Sequence, residues 1–146
     1  MSDRRYPSPS HNFVPEYQQS GIPFVKTQTA LIGTAVRFDF DTVTRWLQIH
    51  VDGHDDNAPV RLFFNEDTAA ANSAVDGNTK LFSTATGNFF EFHTGDVLPR
   101  LEVKCKSVWI AISGKDSAPV SVFAGLTSIN ALDFPDQTTE NGFSGV

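Results

Sequence analysis

From Ile22 onward, apolar and polar residues alternate in short runs. Val36, Phe38 and Phe40 are interleaved with Arg37, Asp39 and Asp41, and Leu47, Ile49 and Val51 with Gln48 and His50. Val60, Leu62 and Phe64 fall on one side of their run, with Arg61 and Phe63 on the other. Phe90 and Phe92 bracket Glu91; Leu101, Val103 and Cys105 bracket Glu102 and Lys104; Val108, Ile110 and Ile112 follow, then Val120, Val122 and Ala124. A period of two turns one side of a strand to a core and the other to water, as in antiparallel sheets. Turn formers separate the runs: Asp52-Gly53, Asp76-Gly77-Asn78, Thr86-Gly87-Asn88, Thr94-Gly95-Asp96 and Gly114-Lys115-Asp116. Seven or eight short strands at this spacing predict an all-β protein, an antiparallel β-sandwich of jelly-roll-like type. The Ala-rich stretch Asp67–Val75 is the one candidate helix, either a turn crossing the end of the sandwich or a loop.

Both ends lose the alternation. Residues 1–20 hold Pro7, Pro9 and Pro15, which remove backbone donors and bias their neighbours to extended backbone. This arm is dotted with Tyr6, Phe13, Val14 and Tyr17, anchors that a solvated linker would not need. Two outcomes are open: a disordered terminus, or an arm that orders along another subunit. Residues 130–146 read as an extended C-terminal tail with isolated apolar points at Phe134-Pro135 and Phe143. The expected division is an N-terminal arm (1–20), a β-sandwich domain (21–129) and a C-terminal tail (130–146).

Charge narrows the function classes. Lys and Arg number 11 against 17 Asp and Glu, a net charge of −6, which argues against nucleic-acid binding because that needs a basic surface. A single cysteine, Cys105, excludes an internal disulfide and a Cys-rich zinc module. No apolar run reaches the roughly 18 residues of a membrane helix, and Arg4-Arg5 is not followed by a signal-peptide core, so a soluble protein made in a cytoplasm is expected. With 13 Phe against 2 Tyr and 2 Trp, the aromatic content favours packing and assembly over sugar capture.

Catalytic and metal chemistry find little support. His11, His50, His54 and His93 lack the spacing of a metal motif and read as surface residues. The loop Asp52–Asn57 concentrates three carboxylates, enough for weak calcium binding, but its spacing matches no calcium loop, and a polar hairpin turn explains it. No Gly-x-Ser-x-Gly elbow and no phosphate-binding glycine loop is present. Cys105 falls on the apolar side of its run and reads as a buried, inert thiol. Arg100, Lys104 and Lys106 form the most basic stretch, a solvated strand face or a partner contact. No catalytic residue, no metal ligand and no cofactor is expected.

Two stretches carry a resemblance. Val14-Pro15-Glu16-Tyr17-Gln18-Gln19-Ser20-Gly21-Ile22-Pro23-Phe24 is similar to the Tyr-x-x-Ser-Gly-x-Pro-aromatic opening of small virion structural proteins of tailed bacteriophages. Val120–Leu126, then Thr127-Ser128-Ile129 and Phe134-Pro135, resembles their closing strand and tail. Val43-Thr44-Arg45-Trp46 and Lys104–Ile110 are similar in style, whereas Thr138–Phe143 matches loosely. The resemblance implies a β-sandwich that decorates or cements a capsid, often as a homotrimer or other homo-oligomer. Its partners would be the major capsid protein or other virion subunits, and its location the virion, assembled in the host cytoplasm. Tail, neck and baseplate accessory proteins share the same look. The expected partner-binding residues are Tyr6, Phe13, Val14, Tyr17, Ile22, Pro23, Phe24, Phe134, Pro135 and Phe143, with neither membrane nor nucleic acid as partner. The rival is a lectin-like sandwich that uses the Asp52–Asn57 loop to hold calcium beside a sugar.

Overall fold

In the computed structural model, which describes residues 22–52, 57–84, 86–114 and 116–143, seven strands form two antiparallel sheets. They are β1 (Ile22–Ala30), β2 (Val36–Asp39), β3 (Thr42–Val51), β4 (Pro59–Phe63), β5 (Phe90–His93), β6 (Ser107–Ile112) and β7 (Ala118–Asn130). A helix α1 (Glu66–Asn72) follows β4, and a 3₁₀ turn (Ala131–Asp133) follows β7. The three-stranded sheet has the order β1-β7-β3 and the four-stranded sheet β2-β6-β4-β5. The predicted all-β, two-sheet architecture is therefore present.

The alternation is what packs the sheets. Leu47, Ile49 and Val51 of β3 and Val120, Val122 and Ala124 of β7 face Phe38 of β2, Val60 and Leu62 of β4, and Val108, Ile110 and Ile112 of β6 in one apolar cluster. Each fully buried side chain of this size contributes about 1.5–3 kcal/mol relative to exposure. Every residue of β6 is buried, so that strand is covered on both faces. Its second cover is a smaller cluster of Phe63, Ala69, Trp109 and Ala111, backed by Phe82 and Phe89. Helix α1 and the 73–89 segment thus lie on the outer face of the four-stranded sheet. The stretch Asp67–Val75, expected as a turn across the end of the sandwich or a loop, is helical only as far as Asn72. It packs on the sheet's outer face instead, because Ala69 is small enough to sit against Phe63, Trp109 and Ala111. Asn65 caps the helix, accepting from the Asp67 N–H at 2.8 Å.

The predicted strand at Leu101–Cys105 is not formed. Only Leu101 makes a bridge, to Leu47, while its faces still alternate as the pattern implied. The reason lies in β3, whose pairing with β7 shifts register on both sides of Thr44. A strand bent by such irregularities offers no regular ladder to a neighbour. Instead the Thr44 hydroxyl donates to Val103 O at 2.8 Å and accepts from Cys105 N at 3.0 Å, and Thr44 N donates to Cys105 O at 2.9 Å.

The tail expected over 130–146 is, through residue 143, packed on the sandwich. β7 itself runs to Asn130. Gln137, 2% exposed, then inserts between β4 and β6. Its Nε2 donates to Phe64 O (2.7 Å) and Ser107 O (2.9 Å), and its Oε1 accepts from the N–H groups of Lys106 (2.9 Å) and Ser107 (3.0 Å). Asn65 Nδ2 donates to Phe143 O at 2.6 Å and to Thr139 Oγ1 at 3.1 Å, so the helix cap also latches this segment.

Candidate functional site

The two sheets treat their outer faces differently. The four-stranded sheet is roofed by α1 and the 73–89 segment; among the described residues, no element lies across the three-stranded sheet. Register defines three rows on that open face. Pro23, Gly125 and Trp46 form the first, Val25, Phe123 and Gln48 the second, and Thr27, Ser121 and His50 the third. Val25 is 70% exposed and Phe123 44%, with Val97, 88% exposed, at the rim beside Phe123. Phe123 meets Trp46 edge to face, with ring centroids 5.0 Å apart.

Gly125 makes that pairing possible. A Cβ at this position would stand 2.3 Å from Trp46 Nε1, so only glycine lets the indole cross the strand. On the far side, the Arg100 guanidinium lies 5.4 Å from the centre of the Trp46 ring and pairs with Glu102 at 2.6 Å. Beyond Phe123 the face dips into a shallow groove bordered by Gln48, His50, Asp96, Val97, Ser121 and Phe123. The Thr27 and Ser121 hydroxyls hydrogen-bond to each other at 2.8 Å across the third row. The whole forms an apolar centre with a polar rim, the composition of a contact surface.

The residues named from sequence scatter around this face. Tyr6, Phe13, Val14 and Tyr17 lie outside the described residues. Ile22 is exposed (57%) at the start of β1, and Pro23 belongs to the first row of the open face. Phe24 turns inward, its ring edge-on to Phe40 at 5.0 Å. Phe134 faces its own chain: it is 6% exposed and packs with Val43 and Ile129, and Phe143 closes over it at 6.1 Å. Pro135 is exposed. Phe134 and Phe143 thus stabilise the body of this chain, because Gln137 and Asn65 tie down the backbone on either side. Val25, Trp46, Val97 and Phe123 are not among the partner-binding residues expected from the sequence. Phe123 carried a signal, since it is a large apolar residue at the polar parity of Val120-Ser121-Val122-Phe123-Ala124.

Chemically reactive groups are subdued. Burial pushes the Cys105 thiol up to about 12, despite a hydrogen bond between its sulfur and the Thr44 hydroxyl at 3.3 Å. Burial alone would raise the Asp39 carboxyl, but hydrogen bonds from Ser107 (2.6 Å) and Arg37 (2.6 Å) outweigh it and hold the carboxyl below its ordinary value. His50 is exposed on β3, and His93 Nδ1 stands 3.8 Å from Asp96. His11 and His54 fall outside the described residues, as does most of the Asp52–Asn57 loop. Among the described residues no group of three His, Cys, Asp or Glu side chains is placed to hold a metal ion, and no helix is long and apolar enough to cross a membrane. No family model, curated protein or solved structure matches the chain significantly.

Proposed function

We propose that this chain is a non-enzymatic structural subunit of a tailed-phage particle, one that decorates or cements the capsid through subunit contacts and its N-terminal arm. The observation that carries the reading is the open face of the three-stranded sheet, with Val25, Phe123 and Val97 exposed around a glycine-seated tryptophan. An apolar centre of this kind on a small domain marks a surface that meets another macromolecule. β1, at the edge of the same sheet, begins at Ile22, so the arm precedes this sheet directly in the sequence.

The strand order supports a jelly roll as the finer description. If the segment ending at Leu101, bridged to Leu47, is counted beside β3, the two sheets read β1-β7-β3-segment and β2-β6-β4-β5. Eight positions in that order form two Greek keys, an arrangement found in viral capsid and lectin domains. The adhesive mechanism needs only modest single contacts, because a repeating shell multiplies them when geometry lets them engage together.

Sedimentation of phage particles formed with the chain tests the reading. The full chain is expected to travel with the particles, and removal of residues 1–20 to lower its incorporation at least tenfold. Absence of the full chain from particles overturns the reading. A lectin-like module draws on Trp46 lying beside Gln48 and His50 on the open face. Calorimetric titration with glycans, with and without millimolar calcium, decides for it only if heat is released and Trp46→Ala abolishes the signal.

A further inference from the structure

We infer that the open face of the three-stranded sheet is the receptor for the N-terminal arm of a second copy of this chain. The inference rests on the reading of the chain as an assembly subunit and names the partner that fits its contact surface. Three observations lead to it. The first is where the arm begins. Residues 1–21 precede Ile22, which opens the edge strand β1 of this very sheet. Because Pro23 follows, Ile22 is confined to extended backbone. An arm that continued in the line of β1 would run past the end of its own sheet and within reach of a second copy. Twenty extended residues reach about 65 Å, against about 30 Å for the length of a nine-residue strand such as β1.

The second observation is apolar fit. Tyr6, Phe13, Val14 and Tyr17 alternate with prolines in a segment biased to extended conformations, which loses little entropy when it docks. Aromatic surfaces such as Phe123 and Trp46, with Val25 and Val97 beside them, are what Pro-rich extended segments bind. The third is charge. The arm carries Arg4 and Arg5 against Asp3 and Glu16, so the acidic excess of the chain lies wholly after residue 21. Asp96 borders the groove beside Phe123, and Asp52, whose N–H donates to Pro119 O at 3.1 Å, stands at the same end of the face. An arm without net charge, bearing two arginines, meets no repulsion from this acidic face.

The test uses full-length protein and light scattering on a size-exclusion column. An arm variant, Phe13→Ser with Tyr17→Ser, removes the ligand; Phe123→Ser removes the receptor. Val97→Asp provides a second receptor variant whose side chain is too exposed to support the fold. Unchanged circular dichroism and thermal melts establish that each variant is folded. The unaltered chain is expected to form a multi-chain species, and each variant to fall to the mass of one chain. An equal mixture of arm variant and receptor variant is expected to recover a two-chain species, because each supplies the half that the other lacks. A single-chain mass for the unaltered protein, an assembly that survives both receptor variants, or a mixture without recovery overturns the inference. Single-chain protein that still sediments with phage particles overturns the arm exchange alone and leaves the assembly reading standing.

Discussion

Arg61 is the residue on which the roof of the four-stranded sheet depends. Its side chain is 4% exposed, and its guanidinium stacks between Phe82 (4.1 Å) and Phe89 (3.8 Å). Nε pairs with Glu91 Oε2 at 3.1 Å, Nη1 donates to Asn72 O and Thr84 Oγ1 at 3.1 Å, and Nη2 to Thr84 O. A planar fork with several donors suits this position, and an ammonium does not. Arg61→Ala removes the stack and leaves the Asn72 and Thr84 carbonyls under the roof without their donor, while Glu91 is exposed enough to be solvated. The variant is expected to destabilise the protein by about 3 kcal/mol in urea titration. Arg61→Lys keeps the charge but loses the stack and most of the hydrogen bonds, so it should fall between the two. A lysine variant as stable as the parent would show that the guanidinium geometry is unimportant.

At the scale of elements, the segment after β7 behaves as an added layer fastened by Gln137. Replacing Gln137 with Leu leaves Phe64 O, Ser107 O and two N–H groups without that partner, a loss of about 3 kcal/mol. The companion signal is faster amide hydrogen exchange at Lys106 and Ser107, whose N–H groups Gln137 accepts. The same segment responds to acid. The Lys106 ammonium bonds to Asp136 and, by that hydrogen bond and its charge, holds the carboxyl below its ordinary value. A lowered folded value means that the contact stabilises the fold above the unfolded carboxyl pKa, about 3.9, and is lost as pH falls through the folded value. Carboxyl titration by NMR should therefore place Asp136 below the reference, with Lys106→Met returning it. No movement in Lys106→Met would mean that the ion pair does not form in solution.

For the molecule as a whole, Cys105 reports on the core. It lies in the main apolar cluster, 2% exposed, with its thiol pushed up to about 12. A raised folded value keeps this contribution intact below the unfolded thiol pKa, about 8.5, and erodes it as pH rises from there toward 12. A thiol reagent at pH 8 should label the folded chain at least a hundredfold more slowly than the urea-unfolded chain. Labelling at the unfolded rate would place Cys105 at the surface. Above this level sits the asymmetry between the sheets: one outer face is roofed by its own chain, and among the described residues no element lies across the other.

Much of the architecture was legible in the alternation, because period-two burial is a local property. Val36–Phe40, Leu47–Val51, Val60–Phe64, Phe90–Phe92, Val108–Ile112 and Val120–Ala124 each predicted a strand, and each falls on one. The buried thiol of Cys105 followed from the same parity. What local pattern does not contain is which groups meet across the fold. Leu101–Cys105 alternates like a strand, yet bulges in β3, a strand distant in sequence, deny it a ladder. Phe134 and Phe143 look like anchors for a neighbour, yet Gln137 and Asn65 turn their segment back onto the body. The open face, too, was decided in three dimensions, since its residues come from β1, β3, β7 and the 96–98 segment. By itself, then, the sequence determined the all-β character, most strands and the core-facing side of most of them. It determined neither the exposure of Phe90, at core parity yet 55% exposed, nor the second buried face of β4 and β6. Tertiary structure alone decided which sheet is roofed and which is exposed, because that depends on where chain-distant segments come to rest.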